Sequence, residues 1–68
     1  MEITIELNGE RRTLPRDTTL EALIAELGLR PESVAVELNR ELVTRARRGL
    51  TLLADGDRLE IVTLVGGG

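Results

Sequence analysis

Three glycines, Gly66, Gly67 and Gly68, close a sequence that is otherwise almost bare of reactive side chains. There is no Cys, His, Lys or Tyr, so Ser33 and the threonines have no imidazole or amine to activate them as nucleophiles. Asp55 and Asp57 are closely spaced acids that could be proposed as a general acid and base. They bracket Gly56 in a turn, however, where carboxylates ordinarily accept hydrogen bonds from turn amides. A metal would need several converging carboxylates, and Asp17, Asp55 and Asp57 lack calcium-loop spacing. What remains is the terminal carboxylate of Gly68. Fully extended, three glycines span up to roughly 10 Å, enough to thread a narrow channel in a partner while a folded domain stays outside. Without a Cβ they gain nothing by packing and obstruct nothing on entry. If this chain takes part in a reaction, it is expected to be the carried group and not the catalyst.

The elements that must hold such a tail follow from hydrophobic periodicity. Met1, Ile3, Ile5 and Leu7 alternate with Glu2, Thr4, Glu6 and Asn8, which predicts a half-buried strand. Asn8-Gly9 predicts a tight turn, and a return strand should run from Arg11 to Leu14 and end before Pro15. Thr18 followed by Glu21 has the spacing of a capping box and predicts the helix start. Leu20, Leu23, Ile24 and Leu27 form one apolar stripe, Gly28 suits the left-handed residue that ends a helix, and Leu29 suits the apolar partner of a Schellman cap. Val34, Val36 and Leu38 alternate again, with Asn39-Arg40 at a turn and Leu42-Val43 beyond it. Leu50, Leu52 and Leu53 are expected to return to the core, Asp55-Gly56 to turn, and Leu59 through Val65 to form the last strand. No internal repeat and no linker long enough to divide the chain are evident. The order predicts an α+β roll, one helix on a mixed sheet of four to five strands; in such a fold the first and last strands commonly pair at the centre, which the sequence alone does not establish here.

Composition excludes several function classes. At 68 residues there is one domain and little room for an internal cavity, since a chain this size buries only about 60% of its unfolded surface. No Phe, Tyr or Trp is available to stack on a base or cofactor. A net charge of −3 argues against a polyanion partner, so no nucleic acid is expected. No apolar run approaches the roughly 20 residues that cross a bilayer, and the first residues lack signal-peptide features. No membrane association and a cytoplasmic location are therefore the expectations.

Two segments are candidates for partner contact. In the last strand Leu59 and Ile61 should face the helix, which turns Val62 and Leu64 the other way. That is either incomplete coverage of a small sheet or an apolar docking face beside the tail. Arg45, Arg47 and Arg48 form the only concentrated basic stretch. It reads as a solvated loop or short helical turn, or as part of a docking surface.

MEITIELNGE, TTLEALIAELGL, VAVELN at Val34 to Asn39, DGD at Asp55 to Asp57 and EIVTLVGGG at Glu60 to Gly68 together resemble the sulfur carrier family of bacterial thiazole (thiamine) biosynthesis, the ThiS carriers, within the ubiquitin-like β-grasp group. The similarity runs from Met1 to Gly68. It implies a β-grasp domain over residues 1–65 and a glycine tail over 66–68. It further implies that an adenylyltransferase (ThiF-like) uses ATP to convert the Gly68 carboxylate into an acyl-adenylate. A persulfide sulfur donor then turns it into a thiocarboxylate, which delivers sulfur to thiazole synthase (ThiG-like). No cofactor is implied for the carrier itself, since the ATP belongs to its partner. Gly66 and Gly67 match the family's narrow lead-in, and Val62, Leu64 and Val65 match the strand end expected to touch partners. Asp55, Gly56 and Asp57 match a structural turn. Arg40, where many relatives have glycine, Thr44, where they often have proline, and Arg47, Arg48 and Gly49 depart from the pattern, all away from the tail. The alternatives are the small subunit of molybdopterin synthase, or another thiocarboxylate-forming carrier, and a non-catalytic ubiquitin-like binding module.

Overall fold

In the computed structural model, which describes residues 1–64, the alternating first segment forms strand β1 (Glu2–Leu7). Asn8 and Gly9 reverse it with φ of 50° and 84°, the pair of left-handed conformations that matches the twist of a two-residue hairpin. Strand β2 (Glu10–Pro15) returns antiparallel, with Leu7 opposite Glu10 and Ile3 opposite Leu14.

Helix α1 (Leu20–Glu26) starts one residue later than the Thr18/Glu21 spacing predicts. Thr19 is the N-cap, its Oγ1 accepting from Ala22 N at 3.1 Å, whereas Thr18 Oγ1 donates to the Pro15 carbonyl at 2.6 Å. The cause is a tertiary pairing. Leu53 N donates to Thr18 O, Leu20 N donates to Thr51 O, and Thr19 is bridged antiparallel to Leu52, so the chain stays extended through Thr19. Ala22, not Glu21, then occupies the third helical position, and the reciprocal box cannot form. The other end follows expectation. Gly28, at φ 74°, donates to Ala25 O and Leu29 N donates to Ile24 O, which are the two bonds of a Schellman cap.

A 3-10 turn at Pro31–Ser33 leads into β3 (Val34–Leu38), and Asn39-Arg40 turns the chain into β4 (Glu41–Val43). Leu38 pairs with Glu41 and Val36 with Val43, so this too is a two-residue hairpin, with Asn39 and Arg40 both at positive φ (51° and 71°). A second 3-10 segment (Arg45–Leu50) packs beside α1, and β5 (Arg58–Thr63) completes a five-stranded sheet ordered β2-β1-β5-β3-β4. The last strand lies at the centre, parallel to β1 and antiparallel to β3.

The two hairpins are related, which corrects the reading that the chain holds no repeat. Residues 3–10 (ITIELNGE) and 34–41 (VAVELNRE) share Glu6/Glu37, Leu7/Leu38, Asn8/Asn39 and Glu10/Glu41. Because β1 is parallel and β3 antiparallel to β5, a half-turn about the sheet normal exchanges one hairpin for the other.

The core lies between the sheet and α1. It is built from Ile3 and Ile5 of β1, Leu14 of β2, the three buried helical residues Leu20, Leu23 and Ile24, Val34 and Val36 of β3, Leu53, and Leu59 and Ile61 of β5. Leu50 and Leu52, expected there with Leu53, are 82% and 59% exposed. The bridge to Thr19 sets the alternation of this short extended segment, so Leu53 points inward and Leu52 outward.

Candidate functional site

Alternation along β5 decides which side chains flank the tail. Leu59 and Ile61 are buried against the helix layer, while Val62 and Leu64 are 56% and 53% exposed on or beside the open face of the sheet. Neighbouring strands set their surroundings. Val62 lies opposite Ala35, and Glu60 opposite Glu37, which in turn lies opposite Leu42 on β4. Leu42 is therefore on the same face as Val62, and it is 69% exposed. Val62 and Leu64 are thus exposed apolar residues near the end of β5, and Leu42 is a third on the same face, two strands away beyond Glu60 and Glu37. Leu42 was missed from sequence because its face depends on the register after Asn39-Arg40. Reading that pair as a two-residue turn would have placed it outward.

The strand that bears these residues is held on both sides. Glu6 N donates to Asp57 O at 2.9 Å and Asn8 N to Leu59 O at 2.8 Å on the β1 side, and Leu64 N donates to Ser33 O at 2.7 Å where β5 leaves the sheet. Val65, Gly66, Gly67 and Gly68, on which the tail expectations fall, lie outside the described residues.

The Asp55–Gly56–Asp57 turn has the geometry of a structural element. Asp55 Oδ1 accepts Thr4 N at 2.7 Å and Gly56 N, at φ 88°, donates to Thr4 O. Asp57 accepts Ala54 N on one oxygen and Asn39 Nδ2 on the other. Both carboxylates are thus occupied in joining the turn to β1 and to the second hairpin. Among the described residues no group of three or more potential ligands could hold a metal ion, and no helix is long and apolar enough to cross a membrane.

The basic stretch is divided by the fold. Arg45 pairs with Glu32 at 3.9 Å, next to the Ser33 carbonyl that receives Leu64, and so sits near the exit of β5. Arg47 is exposed on the 3-10 segment. Arg48, read with them as either solvated or part of a docking surface, is only 5% exposed, so neither reading holds for this residue. Its guanidinium donates to the Pro31 and Val34 carbonyls, each at 2.8 Å. The 3-10 geometry turns this one arginine of the run inward, where it serves one carbonyl in the Pro31–Ser33 turn and one at the start of β3.

With this geometry in view, the sequence matches the ThiS family over residues 5–68. It is 38% identical to the sulfur carrier protein ThiS of Bacillus subtilis, over 94% of this chain and 98% of that one. It is 45% identical to the thiazole synthase of Magnetococcus marinus, over 94% of this chain but only 20% of that protein. The chain therefore spans about a fifth of the thiazole synthase relatives it matches. The crystal structure of the thiamine biosynthesis protein ThiS from Geobacter metallireducens superposes with a TM-score of 0.83 at 30% identity, covering 97% of this chain and all of that one.

Proposed function

The chain belongs to the ThiS family and has its β-grasp fold, and on that premise we propose that it is a sulfur carrier whose working group is the carboxylate of Gly68. In an adenylating enzyme of the ThiF-like class that carboxylate attacks the α-phosphate of ATP and releases pyrophosphate, which makes an electrophilic mixed anhydride with AMP from an unreactive carboxylate. The terminal sulfur of a protein persulfide attacks the acyl-adenylate and displaces AMP, giving an acyl disulfide. A thiol then reduces its S–S bond, leaving the donor sulfur in a disulfide and freeing the thiocarboxylate, which passes its sulfur to a ThiG-like thiazole synthase. The thiazole synthase relatives, each containing a stretch similar to nearly all of this chain, support that acceptor. The domain acts as a protein co-substrate, with ATP bound by its partner, and such chemistry suits a cytoplasmic setting.

The observation that carries the reading is the placement of β5. The central strand is pinned by neighbours on both sides and ends at Thr63, and Val62 and Leu64, which precede Val65 and the three glycines in sequence, are exposed. A rigid exit with an apolar contact beside it lets a partner grip the domain and receive a narrow, side-chain-free terminus. Gly66 and Gly67 give access to Gly68, and Val65 joins Val62 and Leu64 in contact. Arg45, paired with Glu32 near the β5 exit, and the exposed Arg47 remain candidates for partner contact, while the buried Arg48 takes no part.

Incubation with the adenylating enzyme, ATP, a persulfide donor and a thiol reductant is expected to exchange one terminal oxygen for sulfur. The C-terminal peptide must be measured at high mass resolution, because oxidation of Met1, the only methionine, gives nearly the same nominal change. An unchanged peptide under conditions that convert another ThiS carrier refutes the proposal.

A further inference from the structure

Strand β1 leaves the sheet before β5 ends. Leu7, its last residue, pairs with Leu59, and Ile61 lies two residues further along. At Ile61 the side chain of Asn8 does the work of the missing strand. Its Oδ1 accepts the Ile61 N–H at 2.9 Å and its Nδ2 donates to the Ile61 carbonyl at 3.1 Å, while its own backbone N–H donates to Leu59 O at 2.8 Å. A side-chain amide presents the same donor and acceptor as a peptide group, and the positive φ of Asn8 aims it along the strand. The repeat places Asn39 at the equivalent turn, and it holds the other end of β5. Asn39 N donates to Arg58 O at 2.8 Å, and its Oδ1 accepts Arg58 N at 2.9 Å. Two asparagines at matching hairpin turns thus clasp the central strand, Asn39 where it enters the sheet and Asn8 where it departs.

We propose that Asn8 is a positioning residue for the carrier reaction. It fixes the course of the chain from Ile61 onward, so that Val62 and Leu64 meet the partner in the register that delivers Gly68 to its active site. This role rests on the sulfur carrier reading above. Without the Asn8 amide, both backbone groups of Ile61 on the β1 side turn to water, and the strand exit is held only by β3 and the Ser33 carbonyl. The lost order must be restored each time a partner docks. The effect falls on the KM for the carrier more than on kcat, which reports the chemistry after docking.

Asn8→Gly and Asn39→Gly test it as a pair. Glycine enters positive φ freely, so each variant keeps its turn and loses only the side-chain bonds. ATP–pyrophosphate exchange by the adenylating enzyme, measured against carrier concentration, gives KM and kcat. Amide hydrogen exchange reads the strand directly. Asn8→Gly is expected to raise KM about tenfold with kcat within about twofold, and to speed exchange at Ile61. Asn39→Gly is expected to lower the melting temperature comparably and to leave KM within about twofold. A wild-type chain that the enzyme does not adenylate refutes the carrier reading and the positioning role with it. A wild-type chain that is adenylated, with Asn8→Gly no worse than Asn39→Gly, overturns the positioning role alone.

Discussion

Replacing Leu64 by Asp separates a docking role from a folding role, because the structure divides this side chain almost evenly between the two. Leu64 is 53% exposed, so slightly less than half of it is sheltered by the domain. Full burial of a leucine side chain is worth roughly 1.5–3 kcal/mol, which puts the folding share near 1 kcal/mol. For a domain of this size that lowers the melting temperature by about 4–8 °C. The exposed half is what a partner covers. Losing that apolar contact removes about 1 kcal/mol, and burying an unpaired carboxylate in its place adds on the order of 2 kcal/mol or more. About 3 kcal/mol is a Kd weakened roughly a hundredfold. Isothermal titration against the adenylating enzyme and the thiazole synthase, beside a calorimetric melt, measures both quantities on one sample. A melt lowered by far more than about 8 °C with unchanged affinity places Leu64 in the core and refutes the docking face. Ile61, three residues back and only 7% exposed, supplies the contrast: Ile61→Ala is expected to cost about 2–5 kcal/mol of folding stability.

Other substitutions test the framework around that exit. Arg40→Gly should raise the melting midpoint by about 0.5–1 kcal/mol of stability, since Arg40 holds φ at 71° where glycine carries no steric penalty; a fall would mean that the arginine side chain contributes contacts of its own. Arg48→Met should lower urea-denaturation stability by about 2–4 kcal/mol, because the Pro31 and Val34 carbonyls lose charged donors; an unchanged midpoint would show that water replaces them. Thr19→Ala should cost about 1 kcal/mol and Thr18→Ala about half as much, and the reverse order would restore the sequence-based cap. Deleting Gly68 should abolish sulfur acceptance while leaving backbone amide spectra of residues 1–64 nearly unchanged, whereas general unfolding would make the tail structural.

Sequence by itself determined whatever depends on short-range pattern. Alternation in Ile3, Ile5, Val34 and Val36 set the buried faces of β1 and β3, the stripe Leu20, Leu23 and Ile24 set the helix face, and Asn8-Gly9 and Gly28 set a turn and a stop. Each of these follows from a backbone preference or a period of two or 3.6 residues, which a linear reading resolves. The glycine tail became a candidate on other grounds, as a side-chain-free stretch in a sequence without Cys, His, Lys or Tyr, and it lies outside the described residues. Tertiary structure decided the rest, because partners distant in sequence outcompeted local signals. The pairing of residues 18–20 with 51–53 moved the helix cap from Thr18 to Thr19 and turned Leu52 outward. A 3-10 segment against α1 drew Arg48 inward to carbonyls of another element, out of an exposed basic run. The joining of Asn8 to Ile61, 53 residues away, exists only because the sheet brings the first turn beside the last strand.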